Sequence, residues 1–335
     1  MSVQTRESPA GDSMTPPGNR RDTIITLLYK NAMLIVLAVL VVIAAFTYDH
    51  FLELSNFKII LVQNAGLGII AVGVTMLMVT AAFDLSIVPV FVLGGAVYAS
   101  LADQLGWGLA LMLAVLAGSV TGVINGFIVA RVGVNSFIAT LATASVFSGI
   151  VLAFLGTKVL SLSTPSPRLL GTGSIWGVPT PIVLLVSAFL IGQLALGSTV
   201  YGRRLMTVGG SEQAARLAGL RVERLRVSAY VIVGMCACLA GVIFVARLGS
   251  MQATQLTSSG PLLLDAIAIV VVGGTSLYGG NGAVWRTAIG LLIFGVLDNV
   301  IVGINASSAT EQIVKGVVVL LAVTTDLRAR KRSAV

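Results

Sequence analysis

The sequence predicts an all-α polytopic membrane protein with about ten transmembrane helices. Two observations predict this class: 56% of the 335 residues are hydrophobic while only 10% are charged, and the mean hydropathy is +1.00. A soluble domain usually carries about 25% charged residues. Each membrane-spanning helix needs roughly 20 mostly apolar residues, and this chain contains many such windows.

A polar tail over 1–30, rich in Pro, Ser and Gly, precedes the apolar windows, and we expect it to be cytoplasmic and largely disordered. The transmembrane permease domain is predicted over 31–327, and a basic cytoplasmic tail over 328–335 follows it. The helices are predicted at about 31–48, 58–80, 86–102, 107–130, 135–155, 181–197, 227–247, 264–281, 287–305 and 311–327. The eighth window contains the glycine-rich run "VVGGTSLYGGNGAVW", so part of it is expected to be unwound.

Positive charge predicts the orientation, because cytoplasmic loops of membrane proteins are enriched in Lys and Arg. With ten spans, both termini lie on one side, and this side receives most of the basic residues: Arg20, Arg21, Arg131, Arg203, Arg204, Arg216, Arg221, Arg224, Arg226, Arg286, Arg328, Arg330, Lys331 and Arg332. The other side receives only Lys58, Lys158, Arg168 and Arg247, with Lys315 just inside an outer helix end. Both termini are therefore predicted to be cytoplasmic.

Several classes of catalytic site are excluded by composition. His50 is the only histidine, which argues against a His-dependent zinc site or a Ser-His-Asp triad within the chain. No Gly-Lys pair occurs, so there is no Walker A loop to hold ATP phosphates. Cys236 and Cys238 point to different sides of one helix and are interpreted as small buried residues rather than as metal ligands.

A polar stretch, "SEQAARLAGLRVERLR" at 211–226, interrupts the apolar windows in the predicted cytoplasmic loop 198–226. Ser211 is suited to cap a short helix beginning at Glu212, and Gly219 is suited to end it in a left-handed conformation. Ala214 and Ala215 are small enough for another protein surface to approach closely. From the residues alone, an ordinary solvated loop explains the stretch equally well.

The fourth window carries Gly118, Gly122 and Gly126 at a spacing of four. Such a stripe lets a neighbouring helix approach closely, and packing within the chain is favoured over dimerisation.

Five passages, in order, resemble the permeases of ribose-type ABC transporters. They are "FLELSNFKIILVQNAGLGIIAVGVTMLMVTAAFDLSIVPVFVLGGAVYAS" (51–100), "NGFIVARVGVNSFIATLATASVFSGI" (125–150), "YGRRLMTVGGSEQAARLAGLRVERLRVSAY" (201–230), "LDAIAIVVVGGTSLYGGNGAVWRTAIGLLIFGVLDNVI" (264–301) and "EQIVKGVVVLLAV" (311–323). The likeness extends from about 30 to 327, and the order of the motifs makes it specific.

The resemblance implies the ABC importer permease fold and a subunit of a bacterial inner-membrane importer that itself catalyses no covalent chemistry. Its implied partners are an ABC ATPase that holds ATP and Mg, a periplasmic sugar-binding protein, a second permease copy or a related permease, and a small sugar such as ribose or another pentose. No nucleic acid and no cofactor in this chain are implied.

The resemblance also implies a role for the polar stretch. Glu212, Ala214, Ala215 and Gly219 match the family's E-x-A-A-x-x-x-G coupling loop, whose short helix would dock on the ATPase. A capped helix can transmit rigid-body motion of the ATPase to the pore. Arg216, Arg221 and Arg224 are expected to pair with acidic groups there.

Two departures from the family pattern stand out. The family commonly has Thr-Gly-Gly-Ile-Asp-Leu-Ser, whereas this chain has alanine at positions 81 and 82, which removes backbone freedom. Asp84 and Ser86 remain, and Asp84 is expected to cap the third helix. Asp298-Asn299 replaces the family's usual Asn-Asn, and a carboxylate inside a span normally faces a cavity or a partner.

Asp298 has two interpretations: it pairs with Lys315, which is favoured, or it faces the pore and meets sugar hydroxyls. The predicted residues of the translocation pathway or its gating are Asp84, Ser86, Asn125, Asp298, Asn299 and Lys315. Further polar residues within the spans line the pathway or hydrogen-bond neighbouring helices: Gln63, Asn64, Asn135, Ser136 and Thr140.

Two alternatives to a sugar importer stay open. An ABC permease for another solute, such as a branched-chain amino acid, urea, a nucleoside or an autoinducer furanose, would share this architecture. An ion-coupled secondary transporter would need intramembrane carboxylates or broken-helix ion sites, and it would leave the predicted coupling helix without a purpose.

Overall fold

The computed structural model describes residues 32–307 and 309–320, and these residues are mostly helical. The helices are α1 (Ala32–Thr47), α2 (Leu54–Gln63), α3 (Ala65–Met78), α4 (Ile87–Leu105), α5 (Trp107–Phe127), α6 (Ser136–Leu155), α7 (Leu169–Thr172), α8 (Thr180–Gln193), α9 (Val200–Gly210), α10 (Glu212–Leu217), α11 (Val222–Leu248), α12 (Gln255–Ser258), α13 (Gly260–Val272), α14 (Val284–Gly303) and α15 (309–320). The predicted tails over 1–30 and 328–335 lie outside the described residues.

Four short strands form two antiparallel pairs. Strands β1 (Val159–Ser161) and β4 (Ser250–Gln252) pair with each other, and so do β2 (Ser174–Ile175) and β3 (Val178–Pro179). The first pair joins the loop after α6 to the loop after α11, which brings two distant parts of the chain together.

Among the described residues, seven helices are long and apolar enough to cross a membrane. An eighth span results if α2 and α3, which are bent by 53° at Asn64, count as one. Helix α1 is apolar but shorter, and α15 is described over only part of its predicted window. Every predicted window therefore contains a helix and the protein is a multi-pass membrane protein, whereas the count of ten spans stays a prediction.

The eighth predicted span, 264–281, is wrong at both ends. The apolar segment runs over Gln255–Val272, and residues 273–283 are not helical. Gly274, Gly279 and Gly280 have φ of +80°, +80° and +75°, values that interrupt a helix and that glycine adopts without strain. The sequence indicated this unwinding by its run of glycines.

The loops gather at two opposite ends of the helical bundle. At the coupling end, defined here by loops 79–86, 133–135, 199–226 and 273–283, the Gly280 N–H donates to Val79 O at 2.9 Å. At the opposite end, the Leu162 N–H donates to Gly249 O at 2.8 Å, and the Tyr98 hydroxyl donates to Pro167 O at 2.7 Å. Consecutive long helices thus run in alternating directions, as a multi-pass protein requires.

Helix α11 lies at the centre of the bundle and packs against α3, α4 and α5. The glycine stripe of α5 makes its closest approach possible. A Cβ on Gly122 would lie 2.5 Å from Val231 Cα, and one on Gly126 would lie 2.7 Å from Val227 Cα. The prediction that the stripe packs helices within the chain is confirmed.

Candidate coupling face and polar clusters

Helix α10 forms within the predicted coupling loop, at the coupling end of the bundle. Ser211 is its N-cap, and the Ser211 Oγ accepts a hydrogen bond from the Ala214 N–H at 3.2 Å. Gly219 follows with φ of +76°, a left-handed conformation that ends the helix. The predicted cap and the predicted terminating glycine are both present.

The two faces of α10 differ sharply. Ala215 is fully buried and packs with Val208 and Val222, so it fixes the helix to α9 and α11. Ala214 and Leu217 face outward, and Leu217 is 89% exposed. Only Ala214 of the two predicted contact alanines is therefore accessible. Ala215 anchors the helix instead, because its face of the turn meets the chain's own hydrophobic residues.

Ion pairs hold α10 in place on α11. Glu212 lies 2.9 Å from Arg216 and 2.9 Å from Arg226, and Arg216 also pairs with Glu223. Partial burial raises the pKa of Glu212, but the hydrogen bonds and charges of Arg216 and Arg226 outweigh it and hold this pKa below its usual range. Glu212 is thus an internal brace of the loop.

The basic residues around α10 divide into two groups. Arg216 is already paired within the chain, which corrects the expectation that it is held for acidic groups of a partner. Arg221 and Arg224 make no ion pair with any carboxylate in the described part of the chain. These two side chains give the coupling end a positive surface next to the exposed face of α10.

The Asp-Leu-Ser turn before α4 forms a buried polar cluster. The Asp84 Oδ1 accepts hydrogen bonds from the Ser86 N–H at 2.8 Å and from the Ser86 Oγ at 2.6 Å. From α5, the Asn125 amide donates to both Asp84 carboxylate oxygens at 3.3 Å and to the Ser86 Oγ at 2.8 Å. Ser86, not Asp84, is the N-cap residue of α4, which corrects the expectation that Asp84 caps this helix. Asp84 lies two residues earlier and instead fixes Ser86 through its N–H and Oγ.

The same turn is tied to two further helices. The Leu85 N–H donates to the Thr140 Oγ1 at 3.0 Å and the Phe83 N–H to the Ser136 Oγ at 3.4 Å, both on α6. The Tyr230 hydroxyl of α11 donates to Phe83 O at 2.9 Å. Four helices therefore meet at this turn, and its polar groups join helices to one another.

The alanine that replaces a family glycine has an unusual backbone. Ala81 has φ of +58°, in the left-handed region that glycine adopts readily and alanine does not. It lies against Gly279, where an added Cβ would be 2.8 Å from the Ala81 Cβ. The departure from the family pattern thus places an alanine in a backbone conformation that glycine adopts without strain.

A cluster of four charged groups lies towards the opposite end of the bundle. The Lys315 Nζ is 2.9 Å from the Asp298 Oδ1, the partner suggested by the sequence, and it is also 3.1 Å from the Asp265 Oδ2 and 2.8 Å from the Glu311 Oε1. The Lys315 side chain is only 12% exposed. One ammonium group therefore forms ion pairs with three carboxylates, one each from α13, α14 and α15.

Asp265 was missed in the sequence, where Asp298 was the only carboxylate assigned to the interior of a span. The signal was available, because position 265 falls within the predicted eighth window. Asn299, the neighbour of Asp298, forms two hydrogen bonds with Asn56 of α2, at 3.0 Å and 2.7 Å. Asn299 thus joins two helices. Within the described residues, no group of His, Cys, Asp and Glu side chains has the arrangement to hold a metal ion.

Comparison with known proteins gives a consistent result. The family described as branched-chain amino acid transport system / permease component matches residues 56–323. The ribose import permease protein of Bacillus subtilis is 38% identical over 304 residues, which are 89% of this chain and 92% of that protein. The ribose import permease protein of Escherichia coli K12 is 38% identical over 319 residues, or 94% and 98% of the two chains.

A third relative is the L-arabinose transport system permease protein of Escherichia coli K12, which is 34% identical over 88% of this chain and 89% of its own. No solved structure matches this chain. The family match covers most of the sequence, and each of these relatives is aligned over nearly its whole length. The chain belongs to the family of transport-system permease components that contains these sugar permeases.

Proposed function

We propose that this chain is the membrane-spanning permease subunit of an ATP-driven importer for a small sugar. The sugar class is supported by relatives that are named as ribose, L-arabinose and xylose permeases. The xylose transport system permease protein of Escherichia coli K12 is 30% identical over 98% of this chain. ATP hydrolysis belongs to a partner ATPase, and a periplasmic binding protein delivers the sugar.

The observation that carries the ATPase coupling is the construction of α10. The helix is capped at Ser211, anchored by Ala215 and braced by ion pairs, so it moves as a rigid body with the end of α11. Its outer face presents the exposed Leu217, and Arg221 and Arg224, exposed on the same cytoplasmic loop, make no ion pair within the described residues. An exposed apolar side chain on a loop that also exposes basic side chains suits docking on a partner with an apolar pocket and an acidic rim.

The orientation follows from the same end of the molecule. The coupling end carries most of the basic loop residues of the described chain, and the positive-inside rule therefore supports our proposal that it faces the cytoplasm, with the chain in the bacterial inner membrane. Transport then proceeds by alternating access between two permease subunits, either two copies of this chain or one copy with a related permease. Rigid-body displacement of α10 supplies the mechanical input.

The test is affinity purification of the tagged chain, followed by sugar uptake in proteoliposomes. We expect an ATPase to co-purify with the wild type and to be lost with Leu217→Arg, which changes the exposed face and none of the internal brace. Trp176→Arg is the matched control, since Trp176 is fully exposed at the opposite end. If the chain purifies without an ATPase and transports solute without ATP, it is a secondary transporter instead.

An amino acid importer is the second candidate, because the matched family carries a branched-chain amino acid description. It is distinguished in the same proteoliposomes. We expect ATP-dependent uptake of a labelled pentose that excess leucine does not inhibit. Uptake of leucine without uptake of any pentose would assign the chain to the amino acid branch.

A further inference from the structure

A partly open cavity, called here the bend cavity, lies beside the bend between α2 and α3 and is lined in part by Val62, Gln63 and Asn64. The two helices meet at Asn64 at 53°. The Arg247 Nη1 of α11 donates to the Val62 carbonyl at 3.3 Å, beside this break. Irregular backbone at membrane depth is found where it lines a protected, water-filled space, and transporters place solute sites at such interruptions.

The bend cavity has a volume of about 370 Å³, near the small end of the ~300–1,000 Å³ range of ligand pockets. That size suits a monosaccharide better than a longer glycan. One wall is apolar and includes Phe91 and Phe244, whose rings pack edge to face at 5.3 Å between centroids. Other lining residues carry polar groups, so the cavity offers both a surface for ring C–H groups and hydrogen-bonding partners.

The polar lining contains donors and acceptors in close succession. Gln63, Arg247, Asp265 and Asp298 all line the cavity. The Gln63 side chain is exposed and has no hydrogen-bond partner in the described part of the chain. A sugar hydroxyl both donates and accepts, and it can therefore use carboxylate, amide and guanidinium groups at the same site.

The charges of the lining favour a neutral solute. Asp265 and Asp298 each lie within 3.1 Å of the Lys315 ammonium group, which already supplies these carboxylates with a cation. Each carboxylate keeps a second oxygen available to accept a hydroxyl hydrogen bond. A zwitterionic amino acid would compete with Lys315 for these carboxylates, whereas a neutral polyol would not.

We infer that the bend cavity is a binding site for a neutral monosaccharide within this single permease subunit. The inference rests on the proposed sugar importer and deepens it by assigning residues to the solute. Gln63 and Asp298 bind hydroxyl groups directly, and Lys315 positions the two carboxylates. Because part of the wall is a helix break, a change in the bend between α2 and α3 changes the shape of the site.

Binding is tested on the full chain in nanodiscs, without ATPase or binding protein, by saturation-transfer NMR with D-ribose, L-arabinose and D-xylose in turn. We expect at least one pentose to receive saturation from the protein. Gln63→Leu should weaken its affinity roughly tenfold, since one hydrogen-bonding side chain is lost. Gln104→Leu is the matched control, because Gln104 is exposed at the end of α4 away from the cavity.

Filling the cavity gives an independent variant. Ser259→Trp places a large side chain in the lining and should abolish pentose contact, whereas Thr257→Trp, on an exposed position outside the lining, should leave it unchanged. The inference is overturned if none of the three pentoses contacts the wild type, or if Gln63→Leu and Ser259→Trp bind like the wild type. Displacement of the bound pentose by leucine overturns the neutral-sugar assignment.

The outcome for the bend cavity and the outcome for the proposed function separate cleanly. If ATP-driven pentose uptake persists while the cavity variants bind and transport like the wild type, only the cavity assignment fails. If no ATPase co-purifies and uptake does not need ATP, the proposed importer fails whatever the NMR result.

Discussion

Replacing Lys315 by methionine tests the charged cluster most directly. The substitution keeps a long apolar side chain but removes the ammonium group that lies within 3.1 Å of Asp265, Asp298 and Glu311. Three carboxylates then face one another with no cation between them. Removing one partner of a buried ion pair usually costs about 3–5 kcal/mol, because the charge left behind stays poorly solvated.

The cluster is not fully sealed, and this sets the expected magnitude. Asp298 and Glu311 keep 24% and 31% of their side-chain surface exposed, so water screens part of the repulsion. We therefore expect Lys315→Met to lower the free energy of unfolding by about 3 kcal/mol, at the low end of that range. Lys58→Met, at an exposed position of α2, should change it by less than about 0.5 kcal/mol.

The measurement is unfolding of the purified chain by increasing SDS in mixed micelles, followed by tryptophan fluorescence. A double-mutant cycle with Asp298→Asn isolates the pair, and we expect a coupling energy of at least about 1 kcal/mol between Lys315 and Asp298. A loss below about 1 kcal/mol for Lys315→Met, or a coupling energy near zero, would refute the claim that this lysine holds α13, α14 and α15 together.

Three further predictions use the same preparation. Gly122→Ala should lower the free energy of unfolding by about 1–3 kcal/mol, because the added methyl group forces α5 away from α11. Gly149→Ala, with open space around it, should not lower it. Equal effects of the two substitutions would contradict the packing argument. Ala81→Gly should raise the unfolding free energy by about 1 kcal/mol, because it removes left-handed strain, and an unchanged value would show that the backbone relaxes. The hydrogen bond to Glu53 raises the pKa of His50 above 6.5, so the stabilisation from the imidazolium–carboxylate pair is present near pH 6.5 and is lost as the pH rises through the raised pKa. NMR titration of this single histidine should show a midpoint that falls in Glu53→Gln, and an equal midpoint would contradict the contact.

The helices of this protein were predictable because membrane spans depend on long apolar windows, which a sequence displays directly. The interruptions of these helices were only partly predictable. The unwound residues after Val272 were indicated by glycines, whereas the bend at Asn64 has no proline and lies inside one continuous apolar window. Such a bend depends on the residues that pack around it. The periodicity of the sequence does not show that Arg247 of α11 donates to the Val62 carbonyl beside the bend.

The side chains of the candidate sites divide in the same way. The cap at Ser211 and the turn at Gly219 were predictable, since both depend on neighbouring backbone groups. The burial of Ala215 was not predictable, because the packing of α9 and α11 determines which face of this short helix is buried. Asp265 was overlooked for a similar reason: its importance follows from a lysine 50 residues later in the sequence.

One helix connects the coupling end of the bundle with the bend cavity. Helix α11 runs without interruption over 27 residues, about 40 Å at ~1.5 Å per residue. Near its first turn Glu223 and Arg226 pair with residues of α10, and in its last turn Arg247 donates to the carbonyl at the bend of α2 and α3. Between these ends, α11 packs closely against the glycines of α5. If α10 docks on an ATPase as proposed, this continuous helix offers a direct mechanical connection from α10 to the bend of α2 and α3.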